Sequence, residues 1–148
     1  MNLAQAHPAA TPAEAGTPRE AIDAVIARTP FAVWIGAQLE EYGAGAATLS
    51  IVLRSELTMH HGFAHGAVVS FMADSACAWA AASVAGDVVT AEYKLNLLAP
   101  AVGERLRASG RTVKVAGRLI VCQAEVHSQL RGRDTLVAIA QATITKFK

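Results

Sequence analysis

The stretch Gly66-Ala-Val-Val-Ser-Phe-Met-Ala-Asp-Ser-Ala-Cys-Ala-Trp-Ala-Ala-Ala82 is apolar and alanine-rich apart from one carboxylate near its centre, Asp74. That acid is the only formally charged residue between Glu56 and Asp87. A carboxylate in such surroundings is costly to desolvate unless it is paired, hydrogen-bonded or protonated, so a polar pocket should lie beside it. Just upstream, His60-His61-Gly62-Phe63-Ala64-His65-Gly66 introduces the run. The run reads as a long helix with little polar surface beyond Ser70, Asp74 and Ser75, and such a helix must be surrounded.

The flanks supply what surrounds it. Upstream, Ala47, Leu49, Ile51 and Leu53 alternate with Thr48, Ser50, Val52 and Arg54, the pattern of a half-buried strand. Gly43-Ala44-Gly45 marks a turn from an earlier strand near Val33 to Tyr42. Downstream, Val89 to Leu97 alternates in the same way and Pro100 closes it. Three further strands are expected at about 104–115, 118–129 and 135–146, with turns at Gly117 and Arg131-Gly132-Arg133-Asp134, as an antiparallel meander. At the other end, Thr17-Pro18-Arg19-Glu20 has the form of a capping box opening a helix whose Ile22, Val25 and Ile26 share one face, ended by Thr29-Pro30. Residues 1–16 read as a flexible tail and 17–148 as one domain.

One antiparallel sheet curled around one central helix accommodates all of these elements. This α+β arrangement is the hotdog architecture. It leaves sheet edges and an uncovered face, for which pairing with a second copy is the ordinary remedy, so a homodimer or homotetramer is expected.

Composition narrows the function classes. With 148 residues, 53% hydrophobic and 17% charged, the chain suffices for one packed core. A net charge of +1 and only 5% aromatic residues argue against nucleic acid as a partner. Ala64 to Val84 approaches membrane-span length, but a mid-span acid costs about 2.5–3.5 kcal/mol and alanine offsets little of it, so no membrane partner is expected. Cys77 and Cys122 each lie in apolar stretches and read as reduced core residues, and the N-terminus lacks a secretory pattern, which together point to the cytoplasm. His60, His61, His65 and Asp74 lack a standard metal-ligand spacing, and no metal is expected. Cys77, three residues after Asp74, is a conceivable but less favoured nucleophile.

The residues His61-Gly62-Phe63-Ala64-His65-Gly66-Ala67-Val68-Val69, Met72-Ala73-Asp74-Ser75-Ala76-Cys77, Thr90-Ala91-Glu92-Tyr93-Lys94-Leu95-Asn96 and Leu98-Ala99-Pro100 together resemble the phenylacetic-acid-degradation (PaaI-like) branch of the hotdog thioesterases. The resemblance spans about residues 30–147. It implies hydrolysis of acyl-coenzyme A thioesters, with active sites shared across a dimer of antiparallel central helices. It makes the Gly66 N–H an oxyanion donor, with His65 preceding it, Asp74 the acidic catalytic residue, acting as base or nucleophile, and Thr90 a hydroxyl that orients the water or the carboxylate.

The chemistry agrees. A thioester carbonyl under attack develops charge on oxygen that N–H groups at a helix start can hold, and a carboxylate can activate water or attack directly. No cofactor is required, coenzyme A being part of the substrate. Two departures stand out: Ala67 replaces a second glycine, and Met59 occupies a position where relatives often carry Asn or Gln. His60 and His61 are candidates to take over that role. Phe63, Phe71, Met72 and Trp79 are candidates to line a tunnel for either an aryl-acetyl or a medium aliphatic acyl group, and Arg111, Lys114 and Arg118 to hold the coenzyme A phosphates. A non-catalytic acyl-CoA or fatty-acyl binding module, or a hotdog hydratase or dehydratase, are the alternative readings.

Overall fold

In the computed structural model, which describes residues 16–147, two short helices, α1 (Arg19–Arg28) and α2 (Pro30–Ile35), precede strands β1 (Gln38–Gly43) and β2 (Ala46–Val52). A 3-10 turn (Ser55–Leu57) leads to the long helix α3 (Gly66–Ala85), followed by β3 (Val88–Leu97), β4 (Arg105–Ala116), β5 (Leu119–Leu130) and β6 (Arg133–Lys146). The six strands form one antiparallel sheet in the order β1-β2-β4-β5-β6-β3, and every strand touches α3. This is the expected hotdog architecture.

Small side chains set the helix depth. On α3, Ala73, Ala76, Ala80 and Ala81 are fully buried, and facing them are Ala108 and Gly110 of β4 with Ala138, Ala140 and Ala142 of β6. At Gly110 the sheet backbone lies directly against the carbonyl of Ala76, so a Cβ there would overlap it. Larger residues complete the core, among them Leu49, Ile51, Leu106, Ile120, Val126 and Ile144. Although α3 has the length and mean hydropathy, 1.4, of a membrane span, half of it is buried within this chain. It is the core helix of the domain.

Several boundaries differ from the sequence reading. The expected tail, residues 1–16, lies outside the described residues except for Gly16, which packs against the Ser83 carbonyl. Thr17 does not cap α1: Pro18 is the N-cap residue, without a side-chain bond. Instead the Thr17 N–H donates to Ala82 O at 2.8 Å, and its carbonyl accepts from the Tyr42 hydroxyl at 2.9 Å, strapping the entry segment to the end of α3. Val25 is exposed, and only Ile22 and Ile26 anchor α1. The strand expected from Val33 begins at Gln38, because Pro30 starts α2, which Gly36 ends in the left-handed region (φ 77°).

β2 is buried on both faces rather than one. Thr48 and Ser50 are covered, with the Thr48 hydroxyl held between Glu41 and Ser109 at 3.2 Å each. The meander is confined to β4-β5-β6. β3 crosses over to pair with β6 and leaves its other side unpaired at the sheet edge, with Val89, Tyr93 and Leu97 exposed. A crossover of this kind has no local sequence signal, since the alternation in β3 is the same whichever strand it joins.

Candidate functional site

The segment before α3 is pinned by its own backbone. Met59 N–H donates to Phe63 O and Gly62 N–H to Met59 O, a tight turn with Gly62 at φ 81°. Ala64 N–H reaches Ala101 O and His65 N–H reaches Leu57 O. His65 therefore arrives as the N-cap of α3, where its Nδ1 accepts from the Ala67 N–H at 3.0 Å. That bond places the ring proton on Nε2, and the ring is exposed. Ala67 thus serves the helix start through its backbone, which the replacement of glycine leaves unaltered. The first N–H of the helix, that of Gly66, has no hydrogen-bond partner among the described residues. It is a free donor at the positive end of a 20-residue helix.

Asp74 lies two turns further along, half-buried in mid-helix. Thr90, beside the bulge in β3, donates its hydroxyl to Asp74 Oδ1 at 2.7 Å. That bond holds Oδ1, and among the described residues Oδ2 has no hydrogen-bond partner. Ala67, Ser70, Phe71, Asp74 and Ala78, spaced at three and four residues, form the stripe of α3 that the sheet leaves at least partly open. Within one chain Gly66 and Asp74 are eight residues apart, about 12 Å along the axis.

Beside Gly66 is a cleft of about 350 Å³ lined by Met59, Phe63, Ala64, Val69 and the Leu97–Ala101 segment. Of the tunnel candidates it includes Phe63 alone. Phe71 instead packs edge-on against Phe31, ring centroids 5.2 Å apart, Trp79 bridges two core clusters, and Met72 is fully buried, so none of these three lines the cleft. Val69, Leu97 and Leu98 were not named as site candidates, although Val69 and Leu98 stand in the motifs that carry the resemblance. Their alternation marked them as strand and helix residues, and nothing local says which ends meet. His60 and His61 are exposed on the turn, rings 4.1 Å apart, outside the cleft.

The three basic candidates are exposed but not grouped. Lys114 and Arg118 belong to the β4–β5 hairpin, near the end of α3 that Gly45, Val84 and Thr112 mark out. Arg111 faces away from α3, on the outer side of the sheet, and donates to Gln123. Cys77 is fully buried, and burial above all, then Cys122 and Asp74, pushes its thiol up to about 12. It holds essentially no thiolate at neutral pH and is no nucleophile. Among the described residues no three His, Cys, Asp or Glu side chains converge as metal ligands.

Comparison with known proteins yields a consistent picture. The pattern of the thioesterase superfamily matches residues 61–135, the interval from the turn before α3 to β6. A thioesterase family protein from Silicibacter pomeroyi is 33% identical, with a TM-score of 0.81 over 84% of this chain and 93% of that one. The phenylacetic acid degradation protein PaaI from Thermus thermophilus, in a mutant structure, is 27% identical, with a TM-score of 0.70 over 80% and 99% of the two chains. PaaI of the Escherichia coli phenylacetic acid degradation operon shares the fold, with a TM-score of 0.78 over 86% and 91% at 18% identity. No protein of curated function matches the chain.

Proposed function

Because this chain belongs to the thioesterase superfamily, in its PaaI-like hotdog branch, we propose that it hydrolyses acyl-CoA thioesters at a site built from Gly66 and His65 of one chain and Asp74 and Thr90 of another. The observation that carries this reading is the Thr90–Asp74 bond of 2.7 Å on the open stripe of α3. A carboxylate held by a single hydroxyl, with its second oxygen unengaged, is arranged to act on something outside the chain. The Gly66 N–H supplies the complementary part, a donor for the oxygen of the attacked carbonyl. Asp74 then works as general base on water or as nucleophile forming a mixed anhydride, and both fit the geometry. Thiolate leaves without metal assistance.

Distance supports a two-chain arrangement. One carbonyl cannot touch both Gly66 and Asp74 across about 12 Å of helix. Antiparallel packing of two α3 stripes, continued by pairing of two β3 edges, brings Gly66 of one chain to Asp74 of the next and covers Val89, Tyr93 and Leu97. Further association into a tetramer is compatible with this dimer. The buried, unbridged Cys77 and Cys122 support a reducing, cytoplasmic setting.

Met59 favours one other reading. It puts a thioether in the cleft where relatives often carry an amide, so a protein that binds acyl-CoA without turning it over would look like this. The test is Asp74→Asn: it should keep fold and assembly while lowering kcat/KM by at least about a hundredfold. Verified mixed dimers of Asp74→Asn with Gly66→Pro, which lacks the N–H, should regain one working site of two. Tight binding of acyl-CoA with no Asp74-dependent hydrolysis would select the binding module.

A further inference from the structure

We propose that Glu92, Tyr93 and Lys94 are positioning residues: they set the register in which two β3 edges pair, with Tyr93 on the two-fold axis and Glu92 opposite the partner's Lys94. This rests on the two-chain thioesterase reading and goes beyond it in naming what holds Asp74 at the right place beside the partner's Gly66. Within one chain, β3 is tied to α3 at both ends of that span. The Thr90 hydroxyl meets Asp74 at 2.7 Å, and Leu97 Cδ1 lies 3.7 Å from where a Cβ on Gly66 would sit. A two-fold that brings Asp74 to the partner's Gly66 therefore passes midway along both elements. That point is near Ser70 on α3 and near Tyr93 and Lys94 on β3.

Face and charge then choose one register. Directly opposite residues of an antiparallel pair share a face, so their numbers have the same parity and one residue on the axis faces its own copy. Tyr93 pairs with the buried Ala142 of β6 and points to the α3 side, whereas Glu92 and Lys94 pair with Thr143 and Gln141 and point to the outer side. Centring the seam on Glu92 or on Lys94 sets like charges directly opposite each other, which is destabilising. Centring it on Tyr93 sets Glu92 opposite the partner's Lys94, twice over. The charges are available for this: Glu92 accepts only from the Thr143 hydroxyl, at 2.7 Å, and the side chains of Lys94 and Tyr93 have no hydrogen-bond or ionic partner among the described residues. Moving the centre by one residue slides the strands past each other by two, about 7 Å, and carries Asp74 off the partner's Gly66.

Two kinds of variant test this. Folded Tyr93→Cys, oxidised with glutathione disulfide, should crosslink to its own copy, because directly opposite Cα atoms lie about 4.5–5.5 Å apart, within disulfide reach. Lys94→Cys should not, since its two copies are offset by two residues along the strands. Cys77 and Cys122 are buried and take no part. Glu92→Lys and Lys94→Glu each make both seam pairs repulsive and should weaken their own dimers at least about tenfold. Mixed together they are complementary, and a tenfold preference makes about nine-tenths of the dimers mixed, against half for random exchange. Thiol release from phenylacetyl-CoA and hexanoyl-CoA should fall in each charge variant alone, in kcat more than in KM, and return in the mixture. A role confined to one chain would give no such recovery. A crosslink in Lys94→Cys in place of Tyr93→Cys, or charge variants that dimerise like the native protein and mix at random, would overturn the register. If crosslinks and mixing come out as expected but the native protein hydrolyses neither thioester, the seam stands and the enzymatic reading falls. Hydrolysis by a protein that forms neither crosslink overturns the register and leaves the enzymatic reading intact.

Discussion

Replacing Gly110 by alanine would test how the sheet sets the position of Asp74. A Cβ built at Gly110 overlaps the carbonyl of Ala76 and lies 2.9 Å from Cys77 N, whereas ordinary contact begins near 3.4 Å. Both obstructing groups are helix backbone, so no rotamer change relieves the clash. The helix must retreat from β4 by on the order of an ångström, enough to forfeit a quarter to a half of each dispersion well it shares with the sheet. Overpacking of this type costs about 1–3 kcal/mol, and a rigid obstacle places it near the top of that range. The loss of backbone freedom in the unfolded chain returns only about 0.4–1 kcal/mol. A net loss of about 2 kcal/mol should lower Tm by about 5–8 °C for a domain of this size. Because Asp74 lies two residues before Ala76, the retreat should also stretch its 2.7 Å bond to Thr90 and reduce kcat. Gly117→Ala is the control. Its φ of 62° makes it strained, but nothing lies within 4 Å, so it should cost about 1 kcal/mol without lowering turnover. Scanning calorimetry with thiol-release kinetics reads both effects. A Gly110→Ala protein melting within about 2 °C of the native one, with native kcat, would refute the claim that this close approach seats the helix.

Thr90→Val should leave the fold intact and lower kcat by about tenfold to a hundredfold with little change in KM, since a hydrogen bond to a charged group is worth about 1.5–3 kcal/mol, and Thr90→Ser should restore most of the rate. Lys114→Gln and Arg118→Gln should each raise KM about twofold to fivefold, an effect that fades at high salt, while Arg111→Gln, on the far face of the sheet, should do less; unchanged KM in all three would remove the hairpin from coenzyme A binding. Burial raises Cys77 from an ordinary value of 9 and Tyr42 from 10, each to about 12, so the unfolded chain releases these protons first. Their contribution to stability is complete below about pH 9 and declines between about pH 9 and 12, and Cys77→Ala should flatten part of that decline in a chemical-denaturation series.

How much of the site was readable follows from the range of the interactions that make it. Asp74 stands out locally as an acid in an alanine run, and the structure half-buries it beside a hydroxyl, whereas the roles proposed for His65 and Gly66 come from the resemblance. Thr90 was legible only through resemblance, as an ordinary strand threonine by pattern. The cleft was half legible: Phe63, Val69 and Leu98 all stood in the quoted motifs, but only Phe63 was named as a tunnel candidate, because Val69, Leu97 and Leu98 look like any apolar residues of a helix and a strand. Met72 shows the converse error, a large apolar residue near the acid that the helix turns fully into the core. Thr17 was misread because its local capping pattern lost to two longer-range bonds, to Ala82 and from Tyr42.

The sequence by itself determined the central helix and its lone acid, the four long strand segments with their Gly117 and Gly132 turns, and the wrapping of a sheet around alanine. These depend on periodicity and turn chemistry, which act over a few residues. Only the tertiary structure decided that β3 crosses to the sheet edge, that Gly110 lets the helix sit against β4, that Thr90 meets Asp74, and that Gly66 lines a cleft walled by apolar side chains. Those are pairings between segments tens of residues apart, chosen by the packing of the whole chain, and no local pattern carries them.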